Sequence, residues 1–294
     1  MVWALRVGAV ALLLVSLSPE VPETMLHPNE LAGPRPPLLD TEIAYPAAVR
    51  SRLETETVYA RGRTQRARGS IAAMAITFDT EIPRGLEAQQ TITEILEVLA
   101  EHHVPATFFV VGTWARANAD ILRRMAGDRH EIANHSFDHR PFARRRAADL
   151  KVDLAQVASI VEQSTGRPIA NFFRPPYGCI DGAAERLIES EGYDLVGWTA
   201  AGRDAEGATE SPRDVVEAIT SDLQHGAVVL LHTNRWISAA ALPGILEAAR
   251  ARGLEIVPLT ELLARDDVPL RDIEKRAKRP CGTTLARPDL ASRH

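Results

Sequence analysis

Between residues 71 and 263, short apolar runs alternate with longer amphipathic stretches, and this alternation constrains the fold more than anything else in the chain. The apolar runs are residues 71–78, 106–111, 130–133, 171–174, 195–198, 227–231 and 255–258. Each has strand length, and turn residues bound most of them. Residues 89–101, 118–126, 147–163, 183–191, 212–224, 242–252 and 260–264 read as helices. In the first of these, Ile92, Ile95, Leu96 and Leu99 share one face. Gly166 and Pro168 close the long third helix, and Ser211 with Pro212 opens the fifth as N-cap and first helical residue. Strand–helix alternation on this scale predicts a mostly parallel sheet with helices packed outside it. Seven strands predict an α/β fold built as an incomplete (β/α)7 barrel, with an open doubly wound sheet as the alternative. No internal repeat underlies the pattern.

The flanks have a different character. Arg6 precedes a mainly apolar run, residues 7–17, which ends at Ser18-Pro19-Glu20. A run of roughly 10–14 apolar residues is short for a membrane span and suits a signal-peptide core. No small-x-small cleavage site follows, so residues 1–18 read as a signal peptide or a retained N-terminal anchor. Residues 19–70 are rich in Pro, Arg, Glu and Thr and read as a flexible linker. Arg61, Arg63, Arg66 and Arg68 cluster at its end; a solvated face is preferred over contact with an anionic wall polymer or lipid surface. Residues 264–294 are charged, contain Pro and read as a disordered tail. The expected location is extracytoplasmic, secreted or membrane-tethered. The net charge of −5 shows no basic excess, which argues against a nucleic-acid partner. The two cysteines, Cys179 and Cys281, form no framework. Two unpaired thiols are the expectation, although export would permit a bridge.

The residues with chemistry to offer fall at one place in this pattern. Asp79 follows the first strand, His135 and His139 follow the third, and Arg174 ends the fourth. Asp204 comes shortly after the fifth and His232 directly after the sixth. In barrels and open α/β sheets, the carboxyl edge of the strands is where active sites are built. His135 and His139 stand four apart, a spacing that on a helical turn puts both imidazoles on one face, within reach of one metal ion. Taken alone, such a pair is more often a solvated surface feature. Asp79 and Glu81 form a D-x-E pair that alone would be a polar loop start. Arg174 precedes the stiff turn Pro175-Pro176-Tyr177-Gly178, and His232 ends the apolar run Leu230-Leu231. Each signal is weak singly; their order and strand positions make them jointly specific.

Together these segments make the chain resemble the polysaccharide deacetylases, the NodB-like carbohydrate esterases, across residues 71–263. Family members carry five ordered motifs: T-F-D-D, H-[ST]-x-x-H, R-x-P-Y, D-x-x-D-W and L-x-H. The second is intact here as His135-Ser136-Phe137-Asp138-His139, the third as Arg174-Pro175-Pro176-Tyr177 and the fifth as Leu230-Leu231-His232. The first reads Thr77-Phe78-Asp79-Thr80, so Thr80 stands at the usual metal-binding Asp and Glu81 is the nearest substitute. The fourth, Ala201-Gly202-Arg203-Asp204-Ala205, keeps only its second Asp.

The resemblance implies a NodB-like deacetylase fold and a catalytic domain at 71–263. It implies hydrolysis of N- or O-acetyl groups on a cell-wall or extracellular polysaccharide, dependent on a divalent metal. Glu81, His135 and His139 would be the ligands. Zn²⁺ is the expected ion, and Co²⁺, Ni²⁺ or Fe²⁺ suit the same donors. Asp79 would be the general base, held by Arg174, and His232 the general acid, oriented by Asp204. A backbone N–H near Tyr177 would bind the oxyanion. Trp198 would pack in the barrel, while Trp114 and Trp236, in loops on the same face, are candidates to stack on a sugar. Two other readings stay open: a non-catalytic carbohydrate-binding relative, and an amidase acting on a small non-sugar molecule.

Overall fold

A computed structural model describes residues 72–80, 86–205, 211–265 and 268, all within one compact unit spanning residues 63–294. The signal segment, the linker with its arginine cluster, Glu81, Cys281 and nearly all of the tail lie outside the described residues. Among the described residues, no helix is long and apolar enough to cross a membrane.

The order of elements is β1 (Ala73–Asp79), α1 (Leu86–Glu101), β2 (Thr107–Val110), α2 (Gly112–Ala117), α3 (Ala119–Gly127), β3 (Glu131–Asn134), α4 (Ala147–Thr165) and β4 (Phe172–Phe173). A 3₁₀ turn, Pro176–Gly178, leads to α5 (Gly182–Ser190), β5 (Asp194–Leu195), β6 (Ala200–Ala201) and α6 (Pro212–Thr220). Then come β7 (Val228–His232), α7 (Trp236–Ala251), β8 (Glu255–Ile256) and α8 (Leu259–Leu263). The strands form one parallel sheet in the order β5-β4-β3-β2-β1-β7-β6, with β8 pairing the start of β1. It curves as a half-barrel with helices outside, open between β5 and β6, which makes the barrel incomplete as expected. The strand count is eight among the described residues, not seven. The added strand, β6, is two residues long and leaves no periodic trace in the sequence.

β1 lies at the centre and is buried along its whole length, as a strand covered on both faces must be. Its side chains alternate between two cores. Met74, Ile76 and Phe78 face outward and join the cluster containing Ile92, Ile95, Leu96 and Leu99 of α1 and Leu242, Ile245 and Leu246 of α7. Ala73 and Ala75 join a second cluster with Phe109, Ala133, Val196 and Val228, which includes Leu259 and Leu262 of α8. Thr77 and Asp79 continue this second row toward the carboxyl edge. The period of two therefore delivers Asp79 inward at the end of the strand.

Local signals explain the helix boundaries. Ser211 and Asp214 form a reciprocal capping box on α6, each side chain accepting the other's backbone N–H, with Pro212 at the first helical position. α4 ends at Gly166, whose φ of 69° is cheap only without a Cβ. His135 and His139 lie in the loop between β3 and α4, as their place just after the third expected strand implies. Two expectations need correction. Trp236 is not in a loop, being the first residue of α7. Trp114 is not on a loop: it belongs to α2 and is buried in the outer core.

Candidate active site

Six of the singled-out side chains, Asp79, His135, His139, Arg174, Asp204 and His232, gather at the carboxyl edge of the central strands. In the parallel register of β1 and β7, Asp79 is the direct neighbour of His232. Opposite β1, Asp79 pairs with Phe109 of β2. Arg174, just past β4, reaches across the barrel to the same point.

Arg174 is the largest fully buried side chain among the described residues. Its Nη1 donates to Asp79 Oδ1 at 2.6 Å. Nη2 donates to Thr77 Oγ1 and to the Gly197 carbonyl, both at 2.9 Å, and Nε to the Val196 carbonyl at 3.3 Å. The guanidinium plane stands 3.9 Å over the Phe109 ring. A buried charge needs this degree of pairing, and the solvated alternative for Arg174 is excluded. Burial alone would raise the Asp79 carboxyl pKa; the Arg174 charge, with smaller help from His135 and His232, reverses this and holds it below the ordinary carboxylate value. Burial also works against the charge on Arg174, and Asp79 opposes that effect. A guanidinium keeps its proton regardless, so the pair is ionised.

The loop from Asn134 to His139 presents two imidazoles. His135 Nδ1 stands 2.7 Å from the Arg174 carbonyl oxygen, which can only accept. Nδ1 therefore carries the proton, and the lone pair of Nε2 faces inward, 3.4 Å from Asp79 Oδ2. The His139 ring packs edge-on against His135, with centroids 4.8 Å apart, and equally against Tyr177. Burial lowers the His139 pKa to about 4, and it lowers that of His135 as well. Both rings are neutral at pH 7 and hold lone pairs available to an electrophile. Ser136, His139 and Tyr177 all have φ near +60°, a conformation that costs non-glycine residues energy and must be imposed by their surroundings.

On the other side, His232 Nδ1 lies 3.0 Å from Asp204 Oδ1, and its backbone N–H donates to Asp204 Oδ2 at 2.8 Å. Ser238 of α7 donates to the same Oδ2 at 2.5 Å. Burial would raise the Asp204 pKa, but His232 and these hydrogen bonds bring it below the ordinary value. A buried carboxylate thus fixes the imidazole tautomer, leaving Nε2 directed away from Asp204.

The remaining positions divide. Thr80 is fully buried, and its hydroxyl accepts the Val111 N–H at 3.0 Å, tying β1 to the start of α2. Among the described residues no cluster of three or more His, Cys, Asp or Glu side chains has metal-holding geometry; His135 and His139 offer two donors, and Glu81 falls outside them. Trp198 is partly buried, 6.0 Å from the Arg174 guanidinium. Trp236 opens α7 and is half exposed. Cys179, two residues past Tyr177, is disulfide-bonded, which corrects the expectation of unpaired thiols. The sequence contains one other cysteine, Cys281.

Sequence reasoning did not single out Thr77, Asn134, Asp153 or Ser238, all buried polar residues around the site. Thr77 was legible in principle, two residues before Asp79 and so on the same strand face.

Residues 67–196 match the profile of the polysaccharide deacetylase family. Similar proteins match over longer stretches than this. The chain belongs to the polysaccharide deacetylase family. A chitooligosaccharide deacetylase of a Bradyrhizobium species is 29% identical over 183 residues, covering 58% of this chain and 83% of that protein. A peptidoglycan-N-acetylglucosamine deacetylase of Bacillus cereus is 28% identical over 193 residues, 65% of this chain and 87% of that protein. Among solved structures, a family 4 carbohydrate esterase from Streptomyces lividans, in complex with acetate, superposes with a TM-score of 0.60 at 24% identity. It covers 68% of this chain and 100% of that one, and shows the shared deacetylase fold. The chain is accordingly a hydrolase by family.

Proposed function

We propose that residues 71–263 form a catalytic domain that removes acetyl groups from an N-acetylated cell-wall or extracellular glycan. The observation that carries this reading is the register pairing of Asp79 with His232, each buried-side partner already charged: Arg174 on one, Asp204 on the other. Binding a sugar requires no such base–acid pair. The named activities of the chitooligosaccharide and peptidoglycan relatives support an amide of an N-acetylhexosamine as substrate.

The donor set fits a divalent ion. Two neutral imidazoles present lone pairs beside a carboxylate, and the Arg174 carbonyl orients one of them. His135 and His139 would hold the ion, with Glu81 as the third ligand; Zn²⁺ is preferred, and Co²⁺, Ni²⁺ or Fe²⁺ suit the same donors. Bound there, such an ion would polarise an acetyl carbonyl and acidify a water. Asp79, kept ionised by Arg174, takes a proton from the attacking water as its oxygen adds to the carbonyl carbon. The Tyr177 backbone N–H donates to the developing oxyanion. The C–N bond then breaks, and His232 protonates the departing nitrogen while Asp204 holds the ring in place. Acetate and a free amine result. Trp236, exposed at the start of α7, offers a face for a pyranose ring.

With the N-terminal segment read as a leader or anchor, the domain acts outside the cytoplasm. Acetate release from N-acetylchitooligosaccharides, peptidoglycan and O-acetylated xylan, with and without a chelator, tests the reading. Release from an N-acetylated glycan that the chelator abolishes is the expected result; no release from any of them would overturn it.

A further inference from the structure

The loop carrying His135 and His139 is held almost entirely by neutral groups. The His135 N–H donates to the Val110 carbonyl, and the Gly112 and Thr113 N–H groups donate to the carbonyls of Ser136 and Phe137. Asn134 Oδ1 accepts the Ser136 N–H, and Ser136 Oγ accepts the His139 N–H. Charged groups reach it at few points: Arg116 lies 4.8 Å over the Phe137 ring, Asp138 pairs with Arg140 at the surface, and one carboxylate is buried against the loop backbone. Asp153, in the second turn of α4, is buried, and its Oδ1 accepts the Phe137 N–H at 2.7 Å. Its Oδ2 takes a hydrogen bond from Arg145 Nη1 at 2.9 Å, and Arg145 in turn lies 5.2 Å over the Phe142 ring. A carboxylate is costly at a site with so little solvent. Burial pushes its pKa up, and the Arg145 hydrogen bond opposes the rise.

We infer that Asp153 is a positioning residue for the metal: it clamps the middle of the ligand loop and so sets the separation and aim of the two imidazoles. The inference rests on the reading that His135 and His139 hold a divalent ion. Phe137 is the midpoint between them, two residues from each. The flanking left-handed residues Ser136 and His139 would relax toward commoner backbone angles if nothing opposed it. A charge-assisted bond is the strong kind available for that purpose. The clamp arrives from α4, an element anchored in the core by Leu150, Leu154, Val157 and Val161, so the loop inherits the rigidity of the helix. Arg145 satisfies the second carboxylate oxygen and stops Asp153 from turning away.

Zn²⁺ titration of the full chain against a competing chelator tests this. Asp153→Ala should weaken Zn²⁺ binding about 10–100-fold, the usual effect of losing support behind a ligand, and should remove hydrogen-exchange protection from the Phe137 amide. Asp153→Asn, which keeps an oxygen for Phe137 but loses the charge facing Arg145, should show a smaller loss. Asp149→Ala, on the same helix and hydrogen-bonded to exposed Arg146 with no bond to the ligand loop, should bind as wild type does and so separates clamping from helix destabilisation. Wild-type Zn²⁺ affinity in folded Asp153→Ala, or in Asp153→Asn if the alanine variant does not fold, overturns the clamp alone. Unchanged binding in His135→Ala overturns the metal reading and the clamp with it.

Discussion

The Asp79 carboxylate is almost wholly buried: Arg174 takes one oxygen, and the other faces His135 Nε2. Such a group is worth burying only if its charge is used. Asp79→Asn and His232→Ala should each lower kcat roughly 10²–10⁴-fold, the range for lost general acid–base catalysis, with folding retained in circular dichroism. Near-normal turnover in either variant would show the roles to be misassigned. The third metal ligand makes a sharper test. Thr80 has committed its hydroxyl to the Val111 N–H, and a neutral hydroxyl is a poor ligand for a Zn²⁺-like ion. Glu81→Gln should therefore lose most bound metal, whereas Asp79→Asn should keep it and lose activity. Metal analysis giving the opposite pattern would exchange their parts. The strand-end residues could be found in the sequence because parallel neighbours bring their carboxyl ends together whatever the details. Asp153 and Ser238 could not, since each comes from the buried side of a helix, where a polar residue leaves no periodic signature.

Among the elements, α2 and β6 went unread, whereas β4, β5 and β8, two residues each, were legible because each lies in or beside a longer apolar run. Each long strand is an apolar run because both its faces are covered, and each long helix shows its stripe. α2 has six residues and β6 two, too few to show a period. The first part of α7 was hidden for another reason: Pro243 imitates a helix start, yet the helix runs through it from Trp236. The histidine spacing brings the rings together without a helix, because two left-handed residues, Ser136 and His139, fold the loop back on itself. α2 proves the most consequential omission, because its first residue presses on the ligand loop. A Cβ at Gly112 would lie 2.5 Å from Phe137 Cδ2 and 3.1 Å from Phe137 Cα. The latter is backbone and cannot swing aside, so Gly112→Ala must push the loop outward. Overpacking of this kind costs about 1–3 kcal/mol. Urea denaturation should show that loss together with weaker Zn²⁺ binding; a variant equal to wild type in both would mean that the loop yields freely.

At the scale of the whole molecule, the same parallel barrel that gathers the site also buries imidazoles, which ties stability to pH. If the N-terminal segment directs export, fractionation should find the domain outside the cytoplasm, free or membrane-bound; an intact N-terminus in the cytosolic fraction would contradict this. An extracytoplasmic enzyme meets acid that a cytosolic one does not. His130, outside the proposed site, shows the consequence most cleanly. Its Nδ1 accepts the Ala106 N–H at 3.2 Å, its ring packs on Phe108, and burial lowers its pKa to about 4. In the unfolded chain the same ring titrates near its ordinary 6.5. Between those values the unfolded state binds a proton that the native state refuses, so stability falls as pH falls from 6.5 toward 4. A gap of that width corresponds to roughly 3 kcal/mol from this residue at the acid end. Denaturation at pH 7 and pH 4.5 should therefore show a drop in wild type that shrinks in His130→Gln, although the variant itself is less stable at pH 7. Removing the ring removes its titration but leaves His135 and His139, so the residual acid sensitivity should track those two. Identical pH slopes in wild type and His130→Gln would place the acid-sensitive groups elsewhere in the fold.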